Sequence, residues 1–261
     1  MTDPIRSALM SAIEARGGRV DKELDGDRLR VELGGKSFEV YLDNLRRRVD
    51  MGDRLDVAVS EFIDALAAPR PEIDVATRRS GLRLMLEQAA VLSGTKTLHR
   101  SVSPEVAISL VWMDDREGRI RLMQPQVLAA WQLDEEDAWA SAADNMNRLL
   151  AESPLKVMDG NRGLRLGMLE TNSVLKASLI SAPALRVHVE PELGWPVFAV
   201  APCRDFLYLV PDSAKDQLGR IGAVVVREFT QSAYPLSPEI FQISDAGIRS
   251  IARFQSNTNG P

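Results

Sequence analysis

The stretch Arg28-Leu29-Arg30-Val31-Glu32-Leu33-Gly34-Gly35-Lys36-Ser37-Phe38-Glu39-Val40-Tyr41-Leu42 decides the fold class. Leu29, Val31 and Leu33 alternate with Arg28, Arg30 and Glu32. A period of two puts apolar side chains on one face of a strand and leaves the other face wet. Phe38, Val40 and Leu42 repeat the pattern. Gly34-Gly35 between the runs, and Asp25-Gly26 ahead of them, are hairpin turn signals. The stretch therefore predicts an antiparallel meander.

Helices flank it. Asp3 can cap a helix that begins at Pro4, carries Ile5, Leu9, Ala12 and Ile13 at helical spacing, and ends at Gly17-Gly18. After the meander, Asp53 opens a second helix with the stripe Leu55, Val59, Phe62 and Leu66, stopped by Pro69-Arg70-Pro71. Residues 1–68 thus read as an α-β-β-β-α unit. Residues 69–95 read as a linker with a weak helix over 82–92, and Arg78-Arg79 fall in it. Residues 96–254 read as a C-terminal α+β domain, and 255–261 as a flexible polar tail.

Within the C-terminal part, Val106–Met113 and Arg119–Met123 are expected strands around the turn Asp114-Asp115-Arg116-Glu117-Gly118. Asp134 caps a helix whose first turn is acidic, which suits the positive end of the helix dipole. Its stripe is Trp139, Ala142, Ala143, Met146 and Leu150. A hairpin follows, 155–158 and 164–169, around Asp159-Gly160-Asn161-Arg162-Gly163. Residues 173–190 fit either a helix or a strand. Val197–Val200 and Phe206–Val210 are strands joined by Ala201-Pro202-Cys203-Arg204-Asp205. A helix capped by Asp212 or Ser213 carries Ala214, Leu218, Ile221, Val225 and Phe229, although the β-branched Val224-Val225-Val226 run disfavours it. Residues 240–243 and 248–254 close the chain as strands. The fold class is α+β: antiparallel hairpins and meanders with helices packed on one face, in two related layers.

Composition narrows the functional classes. The chain has 261 residues, of which 45% are hydrophobic, and a formal charge of −5 from 32 basic and 37 acidic side chains. That balance gives no global attraction to phosphate backbones, and with aromatics at 5% there is little to stack on bases. Nucleic acid is therefore a disfavoured partner. Arg46-Arg47-Arg48 is flanked by Asp43, Asp50 and Asp53 and reads as solvated surface. Cys203 is the only cysteine, which fits a reducing compartment. With no secretory pattern at Met1-Thr2-Asp3-Pro4 and no long apolar run, a cytoplasmic protein away from membranes is expected.

Catalytic chemistry finds few side chains to use. His99 and His188 are the only histidines, with no metal-ligand spacing, so no metal and no cofactor are expected. Asp114, Asp115 and Glu117 lack the ligand count of a calcium loop. Neither a Gly-x-Ser-x-Gly elbow nor a phosphate-binding glycine motif occurs. Gly160-Asn161-Arg162-Gly163 separates two strands and reads as a turn. Cys203, His188 and Asp205 can be assembled as a thiol site on paper, but the favoured reading of the cysteine is a partly buried small hydrophobe at a strand end.

Two polar places remain as binding candidates. Asn145 lies at the margin of its helix's apolar stripe, about 120° from the centre. A partly buried amide there must find partners, and fixing a neighbouring loop is its expected role. Arg204-Asp205 sits between two apolar strands, where it either shapes the turn or offers a binding surface.

The stretch Arg119-Ile120-Arg121-Leu122-Met123, then Leu128, Trp131, and Asp134 through Ala142 to Asn145, resembles the YtpQ-like bacterial family of uncharacterised proteins. So do Val197 through Leu207 and the closing Tyr234-Pro235-Leu236-Ser237 with Phe241. The likeness is best over 105–250. It implies a helix over 173–190 and an N-terminal helix, three strands and helix. It implies no reaction.

The leading expectation is a non-catalytic protein-interaction module, an adaptor or chaperone-like binder of an unknown protein partner, with a homodimer left open. It predicts an exposed apolar patch or an unpaired strand edge. The competing readings are a hydrolase using Cys203 or carboxylates, and a nucleic-acid accessory.

Overall fold

The computed structural model describes residues 3–23, 28–50, 52–67, 75–114, 119–160 and 163–255. The chain divides into two compact units, Met1–Glu72 and Ile73–Pro261.

In the first unit, α1 (Pro4–Ala15) is capped as its sequence demands: Asp3 Oδ1 accepts from the Ile5 N–H at 3.1 Å. β1 (Arg19–Glu23), β2 (Arg28–Leu33) and β3 (Lys36–Tyr41) form the expected antiparallel meander in that order. Leu29, Val31, Leu33, Phe38 and Val40 are buried in one cluster with Ile5, Leu9 and Ile13 of α1 and with Ala58, Val59 and Ile63 of α3 (Leu55–Ala67). Each fully buried aliphatic side chain contributes roughly 1.5–3 kcal/mol, so the period-2 register is strongly favoured over a one-residue slip. An additional helix, α2 (Asp43–Asp50), precedes α3 and takes in the arginine triplet. Arg48 pairs with Asp53 and Glu61, and Arg46 with Asp3. The expected turn at Asp25-Gly26 lies outside the described residues, as do residues 69–74 of the linker.

The second unit begins earlier than the expected boundary at 96. α4 (Val75–Ser80) leads into β4 (Leu82–Gln88), a strand where a weak helix was expected, and only α5 (Ala89–Leu92) is helical there. Leu82, Leu84, Met85 and Leu86 are all buried. A strand buried on both faces shows an unbroken apolar run instead of alternation, and such a run mimics a short helix. β4 pairs along its whole length with β6 (Val106–Asp114). The far side of β6 is shared by β5 (His99–Ser101) and β7 (Arg119–Leu122). Arg78 and Arg79 are not linker residues: Arg78 donates to the Trp131 carbonyl, and Arg79 pairs with Asp137 at 3.0 Å.

α6 (Pro125–Ala130) turns the chain into α7 (Glu135–Ala151). Asp134 Oδ1 accepts from the Glu136 and Asp137 N–H groups, as the sequence predicts. α7 buries Ala138, Trp139, Ala142, Asn145, Met146 and Leu150. β8 (Leu155–Asp159) and β9 (Arg165–Leu169) make the expected hairpin, although residues 161–162 of its turn lie outside the described residues. The segment left open between helix and strand is helical: a 3₁₀ turn at Ala177–Ser181 and α8 (Leu185–Leu193).

β10 (Val197–Val200) and β11 (Tyr208–Pro211) follow, then a 3₁₀ run Asp212–Ile221 that passes into α9 (Gly222–Gln231), and finally β12 (Glu239–Ser244) and β13 (Gly247–Arg253). They build an antiparallel six-stranded sheet in the order β13-β12-β10-β11-β9-β8. All four residues of β10 are buried. Val197 and Ala199 join one core with β4, α7 and α8, while Phe198 and Val200 join another with Leu218, Ile221 and Val225. This sheet is thus covered on its second face as well. Gly247, at φ +100°, closes the β12–β13 hairpin in a region that favours glycine. The α+β class with antiparallel sheets is as the sequence predicts. Among the described residues, no helix is long and apolar enough to cross a membrane.

Candidate functional site

The three candidate residues sit in two places. Asn145 faces the start of β4. Its Nδ2 donates to the Arg79 carbonyl at 2.8 Å and the Leu82 carbonyl at 2.9 Å, and its Oδ1 accepts from Arg148 at 2.8 Å. The amide is buried and its two N–H groups and its oxygen are engaged, so it holds the turn between α4 and β4. Nothing of it is left for a ligand.

Arg204 lies on the loop between β10 and β11, and this loop is stitched to its surroundings by main-chain bonds. Arg204 N–H donates to the Tyr234 carbonyl at 3.2 Å, its carbonyl accepts from Ala177 at 3.0 Å, and the Leu236 N–H donates to the Pro202 carbonyl at 2.7 Å. The guanidinium Nη2 pairs with Glu87 Oε2 of β4 and lies 4.8 Å from the centroid of the Tyr234 ring. Glu87 is buried, and its Oε1 accepts from the Gln88 N–H at 3.0 Å. A buried carboxylate needs such partners, because desolvation otherwise costs more than the ion pair returns. Asp205 is exposed beside this pair.

Cys203 is buried, and burial pushes its thiol pKa up; the Ser232 hydroxyl and the Asp205 N–H offset part of that rise. A nucleophilic cysteine needs the opposite shift. His188 does not help it: its Nε2 is 3.0 Å from the Ser153 carbonyl, and among the described residues no hydrogen bond joins it to Cys203. The Cys203, His188 and Asp205 arrangement drawn from the sequence is therefore not assembled. His99 is engaged elsewhere, its Nδ1 lying 2.9 Å from the Thr97 carbonyl. Among the described residues, no three histidine, cysteine or carboxylate groups converge as a metal site.

A second buried carboxylate was not apparent in the sequence. Glu239 Oε2 accepts from Ser103 at 2.8 Å and Ser237 at 2.9 Å, and its Oε1 accepts from Ser250 at 2.6 Å. These bonds tie β12 to β13 and to the turn before β6. Ser237-x-Glu239 is a local pattern, but Ser103 lies 136 residues away and leaves no local signal.

One exposed feature of this unit is the outer edge of β13. β13 stands at the end of the sheet order, and among the described residues no strand lies beyond it. Gly247, Arg249, Ile251, Ala252 and Arg253 are exposed. A register shift opposite Ile240 and Phe241 makes Ile251 the extra residue of a bulge, and the residue is 43% exposed. Next to the strand's end, α9 and residues 253–255 border a groove of about 230 Å³ lined by Val226, Phe229, Thr230, Pro238, Arg253, Phe254 and Gln255.

No protein-family model, no curated protein and no solved structure matches the chain.

Proposed function

We propose that the chain is a non-catalytic protein-interaction module whose partner joins it at the outer edge of β13. The observation that carries the reading is that exposed seven-residue edge, which offers main-chain donors and acceptors to an incoming strand. The polar residues that first drew attention support it indirectly. Asn145 and Arg204 spend their side-chain hydrogen bonds on the fold, and Cys203 is buried with a raised pKa. An adaptor or chaperone-like role fits a chain of this kind, and the single cysteine fits a cytoplasmic setting. The likeness to the YtpQ-like family enters the proposal as an architecture only.

Affinity capture from the native cell tests it, with the wild-type chain beside Ile251→Glu, which puts a charge on the edge. One stoichiometric protein retained by the wild type and lost from the variant is expected. Equal retention by both, or capture of a small molecule alone, overturns the reading.

A further inference from the structure

The charge on β13 is one-sided. Gly247–Arg253 holds two arginines and no acidic residue. Arg249 donates to Gln242 Oε1, a neutral acceptor, at 3.2 Å, and among the described residues no carboxylate pairs with it. Arg253 pairs with Glu105, with the two side chains 47% and 42% exposed. A pair that open to water holds weakly and can be exchanged for another. An incoming strand would therefore meet one arginine with an uncompensated charge and a second whose present partner is replaceable.

The groove next to the strand's end narrows the occupant further. At about 230 Å³ it falls below the roughly 300–1,000 Å³ of small-molecule sites. Its lining is mixed: Val226, Phe229, Pro238 and Phe254 offer apolar contact, and Thr230, Arg253 and Gln255 supply a polar rim. Such a space takes an apolar side chain of an extended segment more readily than a whole ligand.

A second copy of the chain is the poorer occupant. Two β13 strands paired edge to edge would put four arginines and no carboxylate into one ladder. Like charges facing across a strand pair are destabilising.

We propose that β13 binds an extended acidic segment of a partner protein as an added strand, with carboxylates on both of its faces, one towards Arg249 and one towards Arg253, and an apolar side chain entering the groove. This rests on the interaction-module reading above and names its partner's chemistry. Main-chain bonds along the edge supply sequence-independent affinity, and the two arginines select charge.

Fluorescence polarisation tests it on the full chain with three labelled octapeptides. Arg249 is paired with Gln242 and Arg253 with Glu239, three residues apart on β12, so the two arginines lie on opposite faces of the sheet. The first peptide therefore repeats Glu-Glu-Val-Val, which puts carboxylates on both faces. The second repeats Lys-Lys-Val-Val. The third is the Glu–Val peptide with alternate main-chain nitrogens methylated, made in both phases. At low salt the Glu–Val peptide is expected to bind about tenfold more tightly than the Lys–Val peptide, in line with two exposed ion pairs. One phase of methylation should weaken it at least as much, because it removes the ladder donors and keeps the side chains. Arg249→Glu should weaken the Glu–Val peptide and strengthen the Lys–Val peptide, a gain that a misfolded variant would not give.

Equal binding of the two charge types, unchanged by Arg249→Glu, overturns the acidic partner. It leaves the interaction-module reading to the capture experiment. Binding by none of the peptides also overturns the proposal. So does a dimer by light scattering that Ile251→Glu converts to a monomer, since that assigns the edge to a second copy.

Discussion

β4 and β13 are both seven residues long, and each stands at the margin of an antiparallel sheet. β4 is buried and β13 is exposed along most of its length. The ladder bonds from Met113 N–H to the Gly81 carbonyl and from Ala89 N–H to the Glu105 carbonyl leave residues 82, 84, 86 and 88 with main-chain groups turned away from β6. Side chains from elsewhere in the unit meet several of them. Asn145 of α7 takes the Leu82 carbonyl, and Ser178 Oγ accepts from the Leu86 N–H at 2.9 Å. Glu87 takes the Gln88 N–H and is itself held by Arg204. No comparable set of side chains meets β13 on its outer edge among the described residues. A buried edge must be satisfied internally because an unpaired main-chain group away from water is costly. An exposed edge is satisfied by water, and it can exchange that water for a partner strand.

The comparison breaks most visibly at Glu87. Arg204→Met removes its cation while keeping most of the side-chain volume, and leaves a buried carboxylate with main-chain support alone. A loss of about 3 kcal/mol in unfolding free energy is expected, read by urea denaturation. An unchanged midpoint would mean that the pair contributes nothing to closing β4. Asn145→Ala comes next. It leaves the Arg79 carbonyl without its Asn145 donor and the Leu82 carbonyl with Arg83 Nη1 alone, at an expected cost of about 2 kcal/mol. A loss below about 0.5 kcal/mol, the range of ordinary surface substitutions, would remove Asn145 from the set that seals this edge.

How much of this was readable in advance follows from how local each signal is. The meander of β2 and β3 is legible because one face is wet, so burial writes a period of two into the chain. α7 is legible because Asp134 and the acidic first turn announce its start. β4 is not, since burial on both faces erases the alternation that would mark a strand. Asn145 stands out as a polar residue at the margin of an apolar stripe, but its partners lie 63 and 66 residues upstream. Arg204 likewise stands out between two strands, while Glu87 is 117 residues away. β13 reads as a strand from its own residues. That it is an edge depends on the order of six strands, and strand order is a tertiary property with no local trace.

The smallest effect sharpens the contrast best. Ile251→Glu lies on the exposed edge, in a bulge, with 43% of the residue open to water. The substitution gives up part of an apolar contact that is already half hydrated, and it leaves no buried donor or acceptor behind. The unfolding free energy should therefore move by no more than about 0.5 kcal/mol, well under the cost at Asn145 or Arg204. Circular dichroism melts of the three variants side by side read the ranking directly. If Ile251→Glu proves as damaging as Asn145→Ala, the outer edge of β13 contributes to the fold as β4 does, and the division between a sealed edge and an offered one fails. If it is neutral to stability and still abolishes partner capture, the residue works on the partner alone.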